Sequence, residues 1–482
     1  MGTVALVCLS FALKKCECKA SIKKGKYNLA SIAKPNLKTI ATRLPGGVHY
    51  SWVIVGILAT VQIIGSSIGM AAGVVVAPLS DPEGDFGWSI RTIGAALMVY
   101  YLVGAVFAPV SGWLGDRFGA RRMLLAGGIL YGSSMLLLGI INKPWQFYLT
   151  FSVMLALTQS ISRVPLMAAI NLWFSRRLGL GVGILLAAGG VGMAIMAPLV
   201  GILIETTGWQ GTFWIIGSAG GGILILLTLI FRNRPVDIDI QPYGAGPGDP
   251  SVFKMTEAME SLRIKVYNQH IRRTKAFWNL PLIHGLGCAG HGIILIYSIP
   301  IAVEQGISLI SAAFILSLIS LFSVGSRFMT PIMAERFGGK PVMVAALFVQ
   351  GVTVFALFGA SDIWMFYLFG VLFGIGFGGE MSAYMVVNRQ YFGSGPIART
   401  YGFQTMGALA GHAVATGLAG LVIFVTGSFG PILILSIVFS LVGALVVLTL
   451  EPTHQMLIPD WEESLPQEAR YNRTMTAASS AD

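Results

Sequence analysis

Three ionisable residues stand inside runs that are otherwise apolar for span lengths: Arg163, Arg327 and Glu380. Arg163 precedes Trp173 by ten residues and Arg327 precedes Arg336 by nine. At helical rise both therefore sit about 15 Å inside a hydrocarbon core about 30 Å thick. Glu380 lies eleven residues before Tyr391 and is similarly deep. A guanidinium at such depth is costly unless it faces a cavity or a counter-charge, and its planar fork matches a carboxylate bidentately. With Glu380 ionised the three groups sum to +1, the complement of a monocarboxylate; with it protonated they sum to +2, the complement of a dicarboxylate. Arg163 and Arg327 are thus candidate anion ligands, with Gln62, Gln159 and Tyr297 as hydrogen-bonding neighbours. Glu380, His291 and His412 are candidate proton carriers. The plainer alternatives are an internal Arg163–Glu380 ion pair and packed polar histidines.

These residues must be positioned by membrane helices. A hydrophobic share of 55%, a charged share of 11% and 60 glycines describe an all-α polytopic membrane protein whose helices approach through small residues. Six apolar runs near 51–79, 92–114, 122–142, 145–173, 179–204 and 211–231 form one half, spans 1 to 6. Six more near 277–303, 308–330, 341–360, 363–391, 400–426 and 430–450 form the other, spans 7 to 12. The expected domains are a basic tail (1–49), the first half (50–231), a Pro-broken linker (232–276), the second half (277–450) and a polar, poorly ordered tail (451–482). The basic tail reads as cytoplasmic, with a targeting segment or a misassigned start as alternatives.

The halves are copies. SGWLGDRFGARR, Ser111 to Arg122, recurs 219 positions later as PIMAERFGGKP, setting Glu335 against Asp116, Arg336 against Arg117 and Gly338 against Gly119. Gly112, Asp116, Arg117, Gly119, Arg121 and Arg122, with Glu335, Arg336 and Gly338, read as a gating motif at helix ends. The carboxylates suit the positive end of a neighbouring helix, and the arginines suit the headgroup level. The copy continues with Trp173–Phe174 against Tyr391–Phe392, and with Gly192 and Gly201 against Gly411 and Gly420. This loop resembles the signature of the major facilitator superfamily. The stretch WFSRRLGLGVGILLAAGGVG, Trp173 to Gly192, resembles the monocarboxylate transporter family, and YFGSGPIARTYG, Tyr391 to Gly402, its oxalate/formate branch. The resemblance implies alternating access by two rocking halves around a midplane site, with a small organic anion as solute. It transfers one residue, Arg327. Ser323 stands where animal members carry an aspartate, and span 11 has no lysine.

Charge sets the expected orientation. Of 32 Lys and Arg residues, 28 fall in the two tails, the linker and loops 2–3, 4–5, 8–9 and 10–11; only Arg91 and Lys143 fall on the opposite side. The positive-inside rule places both termini in the cytoplasm of a cell whose plasma (inner) membrane holds the protein. The net charge of +11 is then a topological signal and not a nucleic-acid footprint. No Walker loop, paired CxxC or nucleophile constellation is present, so enzyme chemistry, a cofactor and a metal are not expected. The reading is a secondary transporter of small carboxylates, coupled to a proton or to a counter-anion. Its alternatives are an exporter of amphipathic drugs, disfavoured by two arginines against one acid, and a transport-inactive receptor or scaffold, disfavoured by tails without a recognisable folded domain.

Overall fold

The structure, a computed structural model, describes residues 48–80, 88, 90–246, 249 and 252–471. The basic tail expected over 1–49 lies almost wholly outside the described residues. Helices follow the apolar runs: α1 (Tyr50–Ser80), α2 (Ile90–Phe118), α3 (Ala120–Leu138), α4 (Pro144–Trp173, with a π-helical stretch at Tyr148–Leu155), α5 (178–207) and α6 (209–230). After a linker carrying α7 (Glu257–Ile271) come α8 (Lys275–Glu304), α9 (Leu309–Phe337), α10 (Gly339–Phe358), α11 (Ile363–Phe392), α12 (Ala398–Thr426) and α13 (Gly430–Leu448).

Local chemistry sets these limits. Thr274 caps α8 by accepting from Phe277 N at 3.3 Å, and Ser308 caps α9 by accepting from Ser311 N at 3.3 Å. α5 and α6 run on as one helix except at Gly208, whose φ of 69° turns the chain. Gly119 and Gly338, the repeat-related glycines, have φ of 80° and 92° between α2 and α3 and between α9 and α10. Side chains such as Ile310, Phe424 and Val425 are 73–82% exposed, which suits a lipid face and would be costly in water. Eleven of the helices are long and apolar enough to cross a membrane. Of the other two, α7 lies in the linker, and α3 carries Arg121 and Arg122 at its start and packs Gly128 and Gly132 against α6.

Two departures from the sequence reading bear on function. Span 10 is not continuous: α11 is helical over Ile363–Glu380, turns through Met381–Ala383, and resumes at Tyr384–Phe392. A broken helix at membrane depth leaves backbone groups and a side chain facing the protein interior, the usual setting of a transport site. The second tail is also ordered over 451–471. Arg263 of α7 donates to Glu462 and to the carbonyl of Ala469, both at 2.5 Å, and its guanidinium lies 4.0 Å over the Tyr471 ring and 4.9 Å over Trp461. Polarity misled the expectation, because one buried arginine gathers an acid, a carbonyl and two rings into a small core of its own.

The two halves meet along α2 with α12 and α5 with α9. Glycine permits both approaches: a Cβ on Gly402 would stand 2.5 Å from the Ala108 carbonyl oxygen, and one on Gly183 would stand 2.5 Å from that of Phe328.

Candidate functional site

The signature motif closes one end of the molecule. The Asp116 carboxylate, at the end of α2, sits against the backbone N–H groups of Ala398 and Arg399, which open α12 in the other half. Its repeat partner Glu335, near the end of α9, accepts from Gly179 N at 2.9 Å in the first turn of α5. Each carboxylate thus meets the positive end of a helix dipole across the interface. Both carboxylates thereby bridge the halves. Gly112 lies against Arg399, where a Cβ would come within 2.8 Å of its Cα. The arginines serve the rim. Arg121 donates from Nε to the Thr228 carbonyl at 2.7 Å, Arg117 covers Trp113 and Phe118, Arg336 covers Phe337, and Arg122 is exposed. Asn171 of α4 donates to the carbonyls of Gly393 and Gly395 at 3.4 Å and accepts from Arg389 at 3.3 Å at the same end.

Deeper in, Arg163 on α4 and Arg327 on α9 come from opposite halves, and the Arg327 guanidinium lies in the field of both Arg163 and Glu380. Neither forms an ion pair with an acid among the described residues. The Arg327 guanidinium stacks 5.0 Å over Phe377 and has a buried Nε without a partner. Its Nη2 meets the Met381 sulfur at 3.8 Å, at the break of α11. Arg163 lines a small cavity with Gln62, Gln159, Ser162 and Val61.

Glu380 ends the first segment of α11. Tyr384 donates its hydroxyl to Oε1 at 2.7 Å, while Oε2 lies 3.6 Å from His291 Nδ1 and has no hydrogen bond. Gly287 of α8 leaves the space the carboxylate occupies. In place of the alternative Arg163–Glu380 ion pair stands a Tyr384–Glu380–His291 arrangement. The reason is the break in α11, which turns the end of its first segment toward α8. His412 of α12 stacks on Tyr101 of α2 with centroids 5.1 Å apart and meets the His291 ring edge-on at 5.1 Å. Tyr297 is the outlying candidate; its ring packs with Phe429 beside the α12–α13 turn.

The sequence pattern of the Major Facilitator Superfamily matches residues 59–338 and 328–480, nearly the whole of the described chain. The chain belongs to the Major Facilitator Superfamily. Members of this superfamily are transporters and not enzymes. Among its relatives, monocarboxylate transporter 2 of Homo sapiens is 24% identical over 82% of this chain and 85% of that protein. Monocarboxylate transporter 3 of Rattus norvegicus is 31% identical over 35% of this chain and 34% of its own length. The MFS-type transporter pynF of Aspergillus niger is 22% identical over 68% and 72%. Among solved structures, the superfamily transporter FucP in the outward conformation aligns with a TM-score of 0.65 at 12% identity, covering 82% of this chain and 98% of that one. That alignment supports the fold alone.

Within this superfamily fold, sequence reasoning missed Tyr384, Phe377, Tyr101 and Cys288 as neighbours of the charged residues. Tyr384 could have been found, since it follows Glu380 by one helical turn. Phe377 and Tyr101 could not, because apolar helices present many rings at equivalent spacing.

Proposed function

We propose that this protein carries small mono- or dicarboxylates across the plasma (inner) membrane by alternating access, energised by a co-transported proton or by exchange for a second anion. The observation that carries the reading is a pair of guanidiniums, Arg163 from one half and Arg327 from the other, neither of which has an acid within ion-pair distance among the described residues. Two like charges with no acid in ion-pair contact are stabilised by an anion that enters between them, and an anion gripped by both halves favours their closure around it. Relatives named as monocarboxylate transporters support the same class of solute. In this reading Arg327 grips the carboxylate and Arg163 completes the site, with Gln62 and Gln159 beside it. Tyr297 stands farther along the path, and Glu380, flanked by His291 and His412, is the group assigned to a symported proton. The end closed by Asp116 and Glu335 is the cytoplasmic one, on the strength of the 28 Lys and Arg residues assigned to that side.

The test is uptake of labelled carboxylates into proteoliposomes, driven either by an imposed proton gradient or by an anion loaded inside. Symport predicts accumulation with the gradient alone; exchange predicts accumulation only with the internal anion. Accumulation of hydrophobic cations without any carboxylate flux would reject the proposal. A thermal-shift screen provides the binding arm, because a solute present at 100 times its Kd stabilises by about 2.7 kcal/mol.

A further inference from the structure

One cluster beside the charged network has a composition that anion binding does not require. Cys288 and His291 lie three residues apart on α8, which sets them on one face of the helix, and His412 approaches from α12. The thiol sulfur and one nitrogen of each imidazole all lie within 4.8 Å of one another. Gly292 makes this approach possible: a Cβ there would stand 3.1 Å from His412 Nδ1. Cys288 and His291 are fully buried, and both nitrogens of His291 are sealed from solvent without a hydrogen-bond partner. Buried polar groups of that kind are rare in folded proteins, and each calls for an explanation such as an ion. His412 remains partly exposed, so the cluster has an open side.

We propose that Cys288, His291 and His412 form a binding site for a borderline-to-soft transition-metal cation, of the type of Zn2+ or Cu+. One thiolate and two imidazoles select such ions over Mg2+ and Ca2+, which take oxygen ligands. A tetrahedral ion with bonds of about 2.3 Å to sulfur and about 2.0 Å to nitrogen spaces its donors roughly 3.5 Å apart. The three donors therefore close by about 1 Å on binding, within the reach of side-chain rotation. Cys288 gives up its proton to solvent as the metal–sulfur bond forms. Two groups complete the site. Glu380, with Oε2 at 3.6 Å from His291 Nδ1, stands where a carboxylate orients a metal-bound imidazole or enters as a fourth ligand. Tyr101 of the other half holds the His412 ring by stacking at 5.1 Å. The Cys288 thiolate and the Glu380 carboxylate supply the negative charge that a cation at a buried site needs.

The experiment uses the full chain with Cys8, Cys16 and Cys18 changed to serine, leaving Cys288 as the sole thiol. Titration with Co2+ should give one equivalent bound with an intense near-ultraviolet thiolate-to-metal charge-transfer band, displaced by Zn2+ and not by Mg2+. Cys288→Ser should abolish the band. His412→Gln, at the partly exposed ligand, should weaken affinity by about tenfold or more. Each protein is checked for a monodisperse, helical state first, and the sole-thiol parent carries the claim if a variant fails that check. No band at saturating Co2+ in the folded parent would overturn the proposal, as would a band that survives Cys288→Ser in a folded protein. The measurement involves no solute flux, so its failure leaves the transport reading untouched.

Discussion

An arginine at the centre of a bilayer costs at least about 2.5 kcal/mol on insertion scales, so two of them without an acidic partner need a compensating interaction elsewhere in the cycle. Arg327 obtains part of it from the Phe377 face at 5.0 Å, a cation–π contact that lysine makes less well. A lysine also loses the bidentate fork. Arg327→Lys is therefore expected to weaken carboxylate binding by about 1.4 kcal/mol or more, tenfold in Kd, despite keeping the charge. Exposed Arg122→Lys serves as the comparison and should leave binding within about twofold. Calorimetric titration of both variants checks this, and wild-type affinity in Arg327→Ala would remove the arginine from the site. Glu380 shows why residue identity alone misleads. Its charge invites a pairing with Arg163, yet Tyr384 holds one oxygen at 2.7 Å and the other turns to His291.

Helix ends decide the next level. A carboxylate at a helix N-terminus contributes about 0.3–1 kcal/mol when exposed and up to about 2 kcal/mol when partly buried. Asp116 on α12 and Glu335 on α5 both join opposite halves, so their contribution is present only while this end is closed. Asp116→Asn and Glu335→Gln should each shift the equilibrium toward opening by about 1 kcal/mol, roughly fivefold in population. Labelling of a cysteine introduced at the motif end should rise and turnover should slow, with carboxylate affinity changed by no more than about the same factor. Lost affinity with normal cycling would return these residues to the solute site. The break in α11 belongs to this level too: it frees Glu380 to face α8, and no charge or glycine count in the sequence distinguishes it from a straight span.

For the whole molecule, the linker and the second tail act as a strap over the closed end. Tyr267 of α7 donates its hydroxyl to the Phe392 carbonyl at 3.1 Å, Trp461 packs edge-on against the Tyr267 ring at 4.9 Å, and Leu457 N donates to the Tyr391 carbonyl at 2.8 Å. The first part of the linker holds the other half, where Tyr243 N donates to the Trp173 carbonyl at 2.9 Å. One segment therefore touches the buried aromatic plug at the end of span 4 and its repeat at the end of span 10. Trp461→Ala should release the tail at a local cost of about 3 kcal/mol or more, seen as rapid trypsin cleavage beyond α13 while the membrane helices stay intact. Unchanged cleavage would mean that the tail is held by Arg263 and its partners without the indole.

How much of this was written in the sequence follows from the range of the forces involved. The helical spans and their duplication were legible, because they depend on local apolarity and on a rise of about 1.5 Å per residue. The signature carboxylates were also legible as helix-end groups, though not the helices they meet. Pairings across helices were decided by the tertiary structure alone. Cys288 and His291 stand three residues apart on one helix, but only α12 brings His412, more than a hundred residues later, to within 4.8 Å of both. The partners of Glu380 were likewise set by a helix break and by a glycine opposite it. Packing distances of a few ångströms between distant segments leave no periodic trace in the chain that makes them.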